Sequence, residues 1–315
     1  MQEGASKTIR ADDERAWYNL GVALNDAGRY KEAVLAFEKA IKVKSDYYQA
    51  WNYLAHVQKH LGRYWDALTA VDKSLEINPD LHETWYNRGN ILNNLERYRE
   101  AVISFEKAVE MKPDLYQAWY NCGNALSNWG RYREAIANYD KAIEMKPDLS
   151  QAWYNRGKAF FELGRYEEAL VSFDKAIRIQ PDYYLAWNAR GKVLFDLGDL
   201  QGEIACYERA IDLKPDYAEA WNNLGKAVFN LGVWYDALPC FDKAIEYHPE
   251  YAIAYYNKAR CYASQDEVDL ALENLQKAIK FDGKICREKA KADVEFNKIR
   301  TEEKFMFLIK SDEEF

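Results

Sequence analysis

Residue types able to do chemistry are present, but few are spaced for it. His56 and His60 stand four apart, the spacing at which one helix can offer two ligands to a metal ion. No third ligand lies near them in sequence, and the same pair serves equally as polar lining. His82 and His248 stand apart from them. The five cysteines (Cys122, Cys206, Cys240, Cys261 and Cys286) are odd in number and form no C-x-x-C pair. That argues against a disulfide framework or a cysteine-rich zinc site and favours a reducing compartment. There is no phosphate-binding glycine loop and no Ser/His/Asp constellation in a strand–turn–helix context. The carboxylates are plentiful but evenly spread, so the residues point to no catalytic centre, no resident metal and no cofactor.

Composition narrows the partners. The 315 residues carry 43 basic and 51 acidic side chains, a net charge of −8. A nucleic-acid binder needs a basic excess to displace counterions from phosphates, so nucleic acid is excluded as the expected partner. No run approaches the roughly 20 apolar residues that span a bilayer. The opening MQEGASKTIRADDERAW has no apolar core for a secretory signal. A cytoplasmic location is expected.

The elements that position these residues follow from one period. Trp17, Trp51, Trp85, Trp119, Trp153, Trp187 and Trp221 recur at a single constant interval, and Tyr255 continues the series. Units starting at 14, 48, 82, 116, 150, 184, 218 and 252 fill residues 14–285, between a leader (1–13) and a tail (286–315). Position 8 of each unit is Gly or Ala, position 20 is Ala except at Glu203, and position 27 is Ala except at Ser74. Apolar spacing of 3.6 predicts two helices per unit. Gly at position 15 (Gly28, Gly62, Gly164) parts them, and Pro at position 32 (Pro79 to Pro249) ends the second. Small residues let the two backbones approach, and large ones at positions 4, 17 and 24 fill the space beside them. One pair cannot bury its own apolar face, so the pairs must stack.

In these columns, and in stretches such as AWYNRGKAFFELGRYEEALVSFDKAIRIQPD (152–182), the chain resembles the tetratricopeptide repeat (TPR) family. Its WYNRGN and GRYEEA style resembles arrays of photosynthetic bacteria. The resemblance implies an all-α fold: a right-handed α-solenoid of eight helix–turn–helix repeats, closed by a C-terminal capping segment. It also implies a concave groove lined by positions 2, 5, 6, 9, 12 and 13 of the first helices, a set that shares one helical face.

Position 6 of that groove holds Asn19, Asn87, Asn121, Asn155, Asn223 and Asn257. Asn is a poor helix former, so helix stability does not ask for it. Its amide can hold the backbone of an extended peptide, as in the asparagine ladders of some TPR arrays, or it can bond between repeats; the two are compatible. Asn90 and Asn124 extend the amide-rich stretch in units three and four. Units five to seven place Lys158, Lys192 and Lys226 at position 9 and Phe161, Phe195 and Phe229 at position 12, and Arg260 continues the basic column. Cations beside aromatics suit an acidic, partly apolar peptide; Lys158 with Glu162 and Lys192 with Asp196 are also spaced to neutralise themselves. The carboxylate clamp of chaperone-binding relatives needs Lys at position 5, where this chain has none.

Three features break the pattern. Glu203 replaces Ala at a close helix contact, and Arg190 is the expected partner, bending unit six. Pro239 sits inside a second helix, where a kink is expected. In the tail, Cys286, Ala290, Val294 and Ile299 trace one apolar side and Phe305 and Leu308 follow, placed to cover unit eight. Asp12 and Asp13 are placed to cap the first helix. The combined expectation is a non-enzymatic scaffold that binds a peptide segment of a partner protein in its groove. A self-associating array, or a recruitment or regulatory module of a larger enzyme assembly, is the alternative.

Overall fold

The computed structural model describes residues 12–310. These form an all-α chain of helix pairs in two compact bodies, divided between Leu163 and Gly164. The leader expected at 1–13 lies outside the described residues save for Asp12 and Asp13. Body one holds α1 (Glu14–Asp26), α2 (Tyr30–Val43), α3 (Tyr48–His60), α4 (Tyr64–Ile77), α5 (His82–Asn94), α6 (Tyr98–Met111), α7 (Tyr116–Asn128), α8 (Tyr132–Met145) and α9 (Ser150–Glu162). Body two holds α10 (Tyr166–Ile179), α11 (Tyr184–Leu197), α12 (Leu200–Leu213), α13 (Ala218–Asn230), α14 (Trp234–Tyr247), α15 (Ala252–Ser264), α16 (Val268–Phe281), α17 (Gly283–Ala292), a 3₁₀ turn (Val294–Ile299) and α18 (Glu303–Ile309). Asp13 caps α1, its carboxylate accepting from the Ala16 N–H at 2.8 Å. No helix among the described residues is long and apolar enough to cross a membrane.

Within a pair, an aromatic ring lies directly on bare backbone. A Cβ added at Gly89 would stand 2.6 Å from the Phe105 ring, and one at Gly123 the same distance from Tyr139. Neither contact leaves room for a side chain, so glycine at position 8 sets how closely the two helices approach. Where position 8 carries a methyl group, position 24 is smaller: Ala55 goes with Val71, and Ala259 with Leu275. Between pairs, Trp85, Trp119, Trp153, Trp187 and Trp221 donate their indole N–H to the carbonyl of the proline that ends the preceding repeat, at 2.7 to 3.0 Å. The repeated Trp and Pro therefore work as one unit at these five crossings.

A second inter-repeat bond has an equally constant offset. Arg88 reaches Asp72, Arg156 reaches Asp140, Arg190 reaches Asp174 and Lys258 reaches Asp242, each the same number of positions back along the chain. This corrects the pairing expected at Glu203. Arg190 is held by Asp174 at 2.7 Å and by the Cys206 sulfur at 3.0 Å, and takes no part in neutralising Glu203. α14 runs unbroken through Pro239, which is exposed in its second turn. The carbonyl it leaves unpaired belongs to Tyr235, itself open to water.

The tail packs on the last pair, as solenoid ends require. Cys286, Ala290, Phe296, Ile299 and Phe305 are buried with Tyr256, Ala259, Leu272 and Leu275. Val294, expected on the covered side, is 69% exposed, and Phe296 takes its place. The 3₁₀ turn explains the exchange: at three positions per turn, Phe296 and Ile299 fall on one side.

The turn between the two helices of a pair needs a left-handed residue. Gly62 (φ 73°) and Gly130 (φ 80°) supply it without strain, but Glu96 (φ 59°) and Asp266 (φ 63°) occupy it in units three and eight. Glu96→Gly is expected to stabilise the protein by roughly 1 kcal/mol, the αL penalty less the added entropy of glycine in the unfolded chain. Urea unfolding of the two proteins side by side measures it; a fall in the midpoint contradicts the assignment of strain.

Candidate binding groove

In body one, α5, α7 and α9 present the asparagine column, and each amide is fixed by the repeat before it. Asn121 Nδ2 donates to the Tyr86 hydroxyl at 3.0 Å and to Asn90 Oδ1 at 2.9 Å. Asn155 Nδ2 repeats this with Tyr120 and Asn124 at 3.0 and 2.9 Å. Asn87 Nδ2 donates to Asn52 Oδ1 at 3.2 Å. Both amide hydrogens of Asn121 and Asn155 are thus committed between repeats. Their carbonyl oxygens accept no bond from the described residues and are not fully buried. Tyr139 extends the network into the core, donating its hydroxyl to Asn124 Oδ1 at 2.9 Å. The result is a pair of acceptors on successive repeats, each amide held by the same two bonds.

The ladder has a defined start. At position 6 of unit two Tyr53 replaces Asn, and it packs edge-on to Tyr18 at 5.5 Å. Burial beside Tyr53 and Tyr47 pushes the Tyr18 hydroxyl up to about 12. Asn19 is exposed and outside the ladder. His56 and His60 lie 4.6 Å apart, but His60 stacks on Tyr30. Burial, with Lys59 and His60 alongside, brings His56 down to about 4, so it is neutral at pH 7. No group of three metal-ligating side chains exists among the described residues. Lys158 is exposed, 5.7 Å from the Tyr154 ring, and Phe161 is half-buried.

Body two carries the same ladder with a different surface. Asn223 donates to Asn188 Oδ1 at 3.0 Å and Asn257 to Asn222 Oδ1 at 2.9 Å, the last bond wholly buried. The cations and rings interleave between repeats instead of along one helix. Lys226 sits 4.1 Å above Phe195, and Arg260 4.6 Å above Phe229, each cation reaching the ring of the repeat before its own. Phe229 is buried beneath its guanidinium. Each cation also has carboxylates at hand. Lys192 reaches Glu219 at 3.4 Å, and Arg260 reaches Asp293 of the tail at 2.9 Å. Lys226 lies in the field of Glu203 and Asp196. Asp293 accepts from the Tyr256 hydroxyl at 2.8 Å as well, and so meets positions 5 and 9 of unit eight as a ladder asparagine meets the repeat before it. The acids set against Lys192, Lys226 and Arg260 lie far away along the chain.

Family models describing tetratricopeptide repeats match residues 14–47, 82–115 and 150–183, with further repeat models over 104–137, 129–164, 191–232 and 222–284. The chain belongs to the tetratricopeptide repeat family. Solved TPR structures share its fold. A tetratricopeptide repeat protein from Parabacteroides merdae aligns over 78% of this chain and 97% of its own, at 18% identity and TM-score 0.64. A chain of the APC/C hetero-tetramer Cut9–Hcn1 aligns over 89% of this chain and 53% of its own, at 17% identity and TM-score 0.60. MamA from Desulfovibrio magneticus covers 54% of this chain and 96% of its own, at 19% identity and TM-score 0.52. No curated protein sequence matches the chain.

Glu203 is the largest departure from the TPR columns. It is 1% exposed. Burial pushes it up to about 7; Lys226 opposes the shift, and Asp199 and Asp196 add to it. A carboxyl raised in the folded state favours folding when protonated, and that contribution fades as pH climbs from the unfolded value of about 4.5 through the folded value. Glu203→Gln removes the titration. Its stability relative to the wild type is expected to improve between pH 5 and pH 8 by on the order of 1–2 kcal/mol. Thermal melts at both pH values test this, and a difference independent of pH would falsify it.

Proposed function

We propose that this TPR protein is a non-enzymatic protein-interaction scaffold, and that the first-helix face of units three to five holds an extended segment of a partner protein. The observation that carries the reading is the row of two acceptors on successive repeats. Asn121 and Asn155 have no hydrogen left to donate to a ligand, but each offers an oriented carbonyl oxygen. A peptide backbone supplies N–H donors at regular intervals whatever its side chains, so such a row selects extended conformation more than sequence. Successive repeats stack at about helix-contact spacing, roughly 8–10 Å. That matches one N–H in three of an extended or polyproline-type chain, at about 3.1–3.4 Å per residue.

Charge selection plays a smaller part than the basic column suggests. With Lys192 against Glu219 and Arg260 against Asp293, body two offers little uncompensated positive charge to an acidic peptide. The cysteines are free and buried, which fits a reducing, cytoplasmic setting.

The double variant Asn121→Ala/Asn155→Ala tests the reading. Used as bait in an extract of the native cell, it is expected to retain a tenth or less of the partner captured by the wild type, while its helical content is unchanged. Equal capture by the two baits rules out this stretch as the contact.

A further inference from the structure

The edge formed by the turns between paired helices changes character in body two. In units one, three, four and five the turn carries Arg at position 16, paired with the Glu that follows it one helical turn on: Arg29 with Glu32, Arg97 with Glu100, Arg131 with Glu134 and Arg165 with Glu168. These arginines also cover exposed indoles. Arg97 lies 5.7 Å from the Trp65 ring and Arg131 4.7 Å from Trp129. Unit seven has Val233 where the arginine belongs. There Leu231, Val233, Trp234 and Tyr235 are 36 to 72% exposed, and no cation or ring rests on Trp234 or Tyr235 among the described residues. The equivalent turn of unit six adds exposed Leu197.

Nothing in the fold calls for this exchange, since arginine serves the same turn in five other units. Single exposed apolar residues are ordinary; five on the turns of two successive units mark a contact surface. The rim decides the partner. Asp196, Asp199, Asp236 and Glu267 are exposed around these turns, and Glu203 is buried behind them. Lys192 and Lys226, the cations at hand in these two units, belong to the groove face and are already matched, by Glu219 in one case and by Phe195 with Glu203 in the other. An apolar centre with an acidic rim complements a segment that is apolar at its core and basic at its margins. We infer that the turn edge of units six and seven docks a basic amphipathic segment of a protein partner. Apolar anchors would rest on Leu231, Val233, Trp234 and Tyr235, with Lys or Arg against Asp196 and Asp236. This surface is separate from the asparagine row, so the two sites are able to hold different parts of a complex.

The probe is a fluorescein-labelled 18-residue synthetic helix of leucine and lysine, compared with leucine–glutamate and serine–lysine counterparts by anisotropy on the full chain. The leucine–lysine helix is expected to bind at least tenfold more tightly than either counterpart. Val233→Arg restores the residue that Arg63, Arg97 and Arg131 supply elsewhere, so the fold is retained; it is expected to weaken binding at least tenfold. Tyr235→Ser, at the most exposed position, is expected to act in the same direction. Asn121→Ala/Asn155→Ala leaves this binding unchanged, which separates the result from the groove. No binding of the leucine–lysine helix, equal binding of either counterpart, or insensitivity to both edge variants overturns the proposal. So does a Val233→Arg-sensitive self-association in light scattering, which makes a second copy the occupant. A Val233→Arg-sensitive binding to phosphatidylserine vesicles does the same in favour of a membrane.

Discussion

The close approach of two helices, set by what position 24 lays on the backbone at position 8, is the contact on which the helix pairs depend. The exchange between columns follows from close packing: an interior without voids has room for a ring over glycine or a branched aliphatic side chain over alanine, and not for a ring over alanine. Phe105 over Gly89 and Leu275 with Ala259 are two solutions to one volume constraint. Burying a ring is worth some ~2–3 kcal/mol, so losing this register in one repeat is felt at once in a marginally stable fold.

Everything between repeats is then a set of bonds at constant offsets. The indole-to-proline bond fixes the crossing, the cation at a fixed offset after its aspartate ties adjacent pairs, and the asparagine column hydrogen-bonds one first helix to the last. Asn121 and Asn155 make the same pair of bonds to the repeat before, so the two amides are held alike. An asparagine that bonds its neighbour through both amide hydrogens, as Asn121 and Asn155 do, still keeps its amide oxygen.

The fold was legible because its determinants are local and repeated: Trp at one constant interval, a turn glycine, a proline stop. The site was legible only in part. The columns named the asparagines and the Lys and Phe residues, but not what those side chains touch. Arg190 and Glu203 look like natural partners within one unit, yet Arg190 answers to Asp174 in the unit before. The signal was available, since Arg88, Arg156 and Lys258 all follow an aspartate at that same offset. Lys226 and Phe229 are adjacent on one helix, yet Lys226 covers the Phe of the preceding repeat, because a long side chain leans toward its neighbouring helix. Asp293 was out of reach of any column argument, because a tail outside the period supplies it. What the repeat does not explain, Glu203 and the Val233–Tyr235 edge, is where the chain is individual.

The central claim is that positions 8 and 24 are coupled, and a double-mutant cycle at Gly89 and Phe105 tests it most directly. Gly89→Ala alone is expected to cost about 1–3 kcal/mol by overpacking, and Phe105→Leu alone about 1 kcal/mol or more by loss of contact. Together they recreate the pairing of Ala259 with Leu275. The account predicts that the double variant loses less than the sum of the two by at least about 1 kcal/mol. Losses that add within about 0.5 kcal/mol would contradict it.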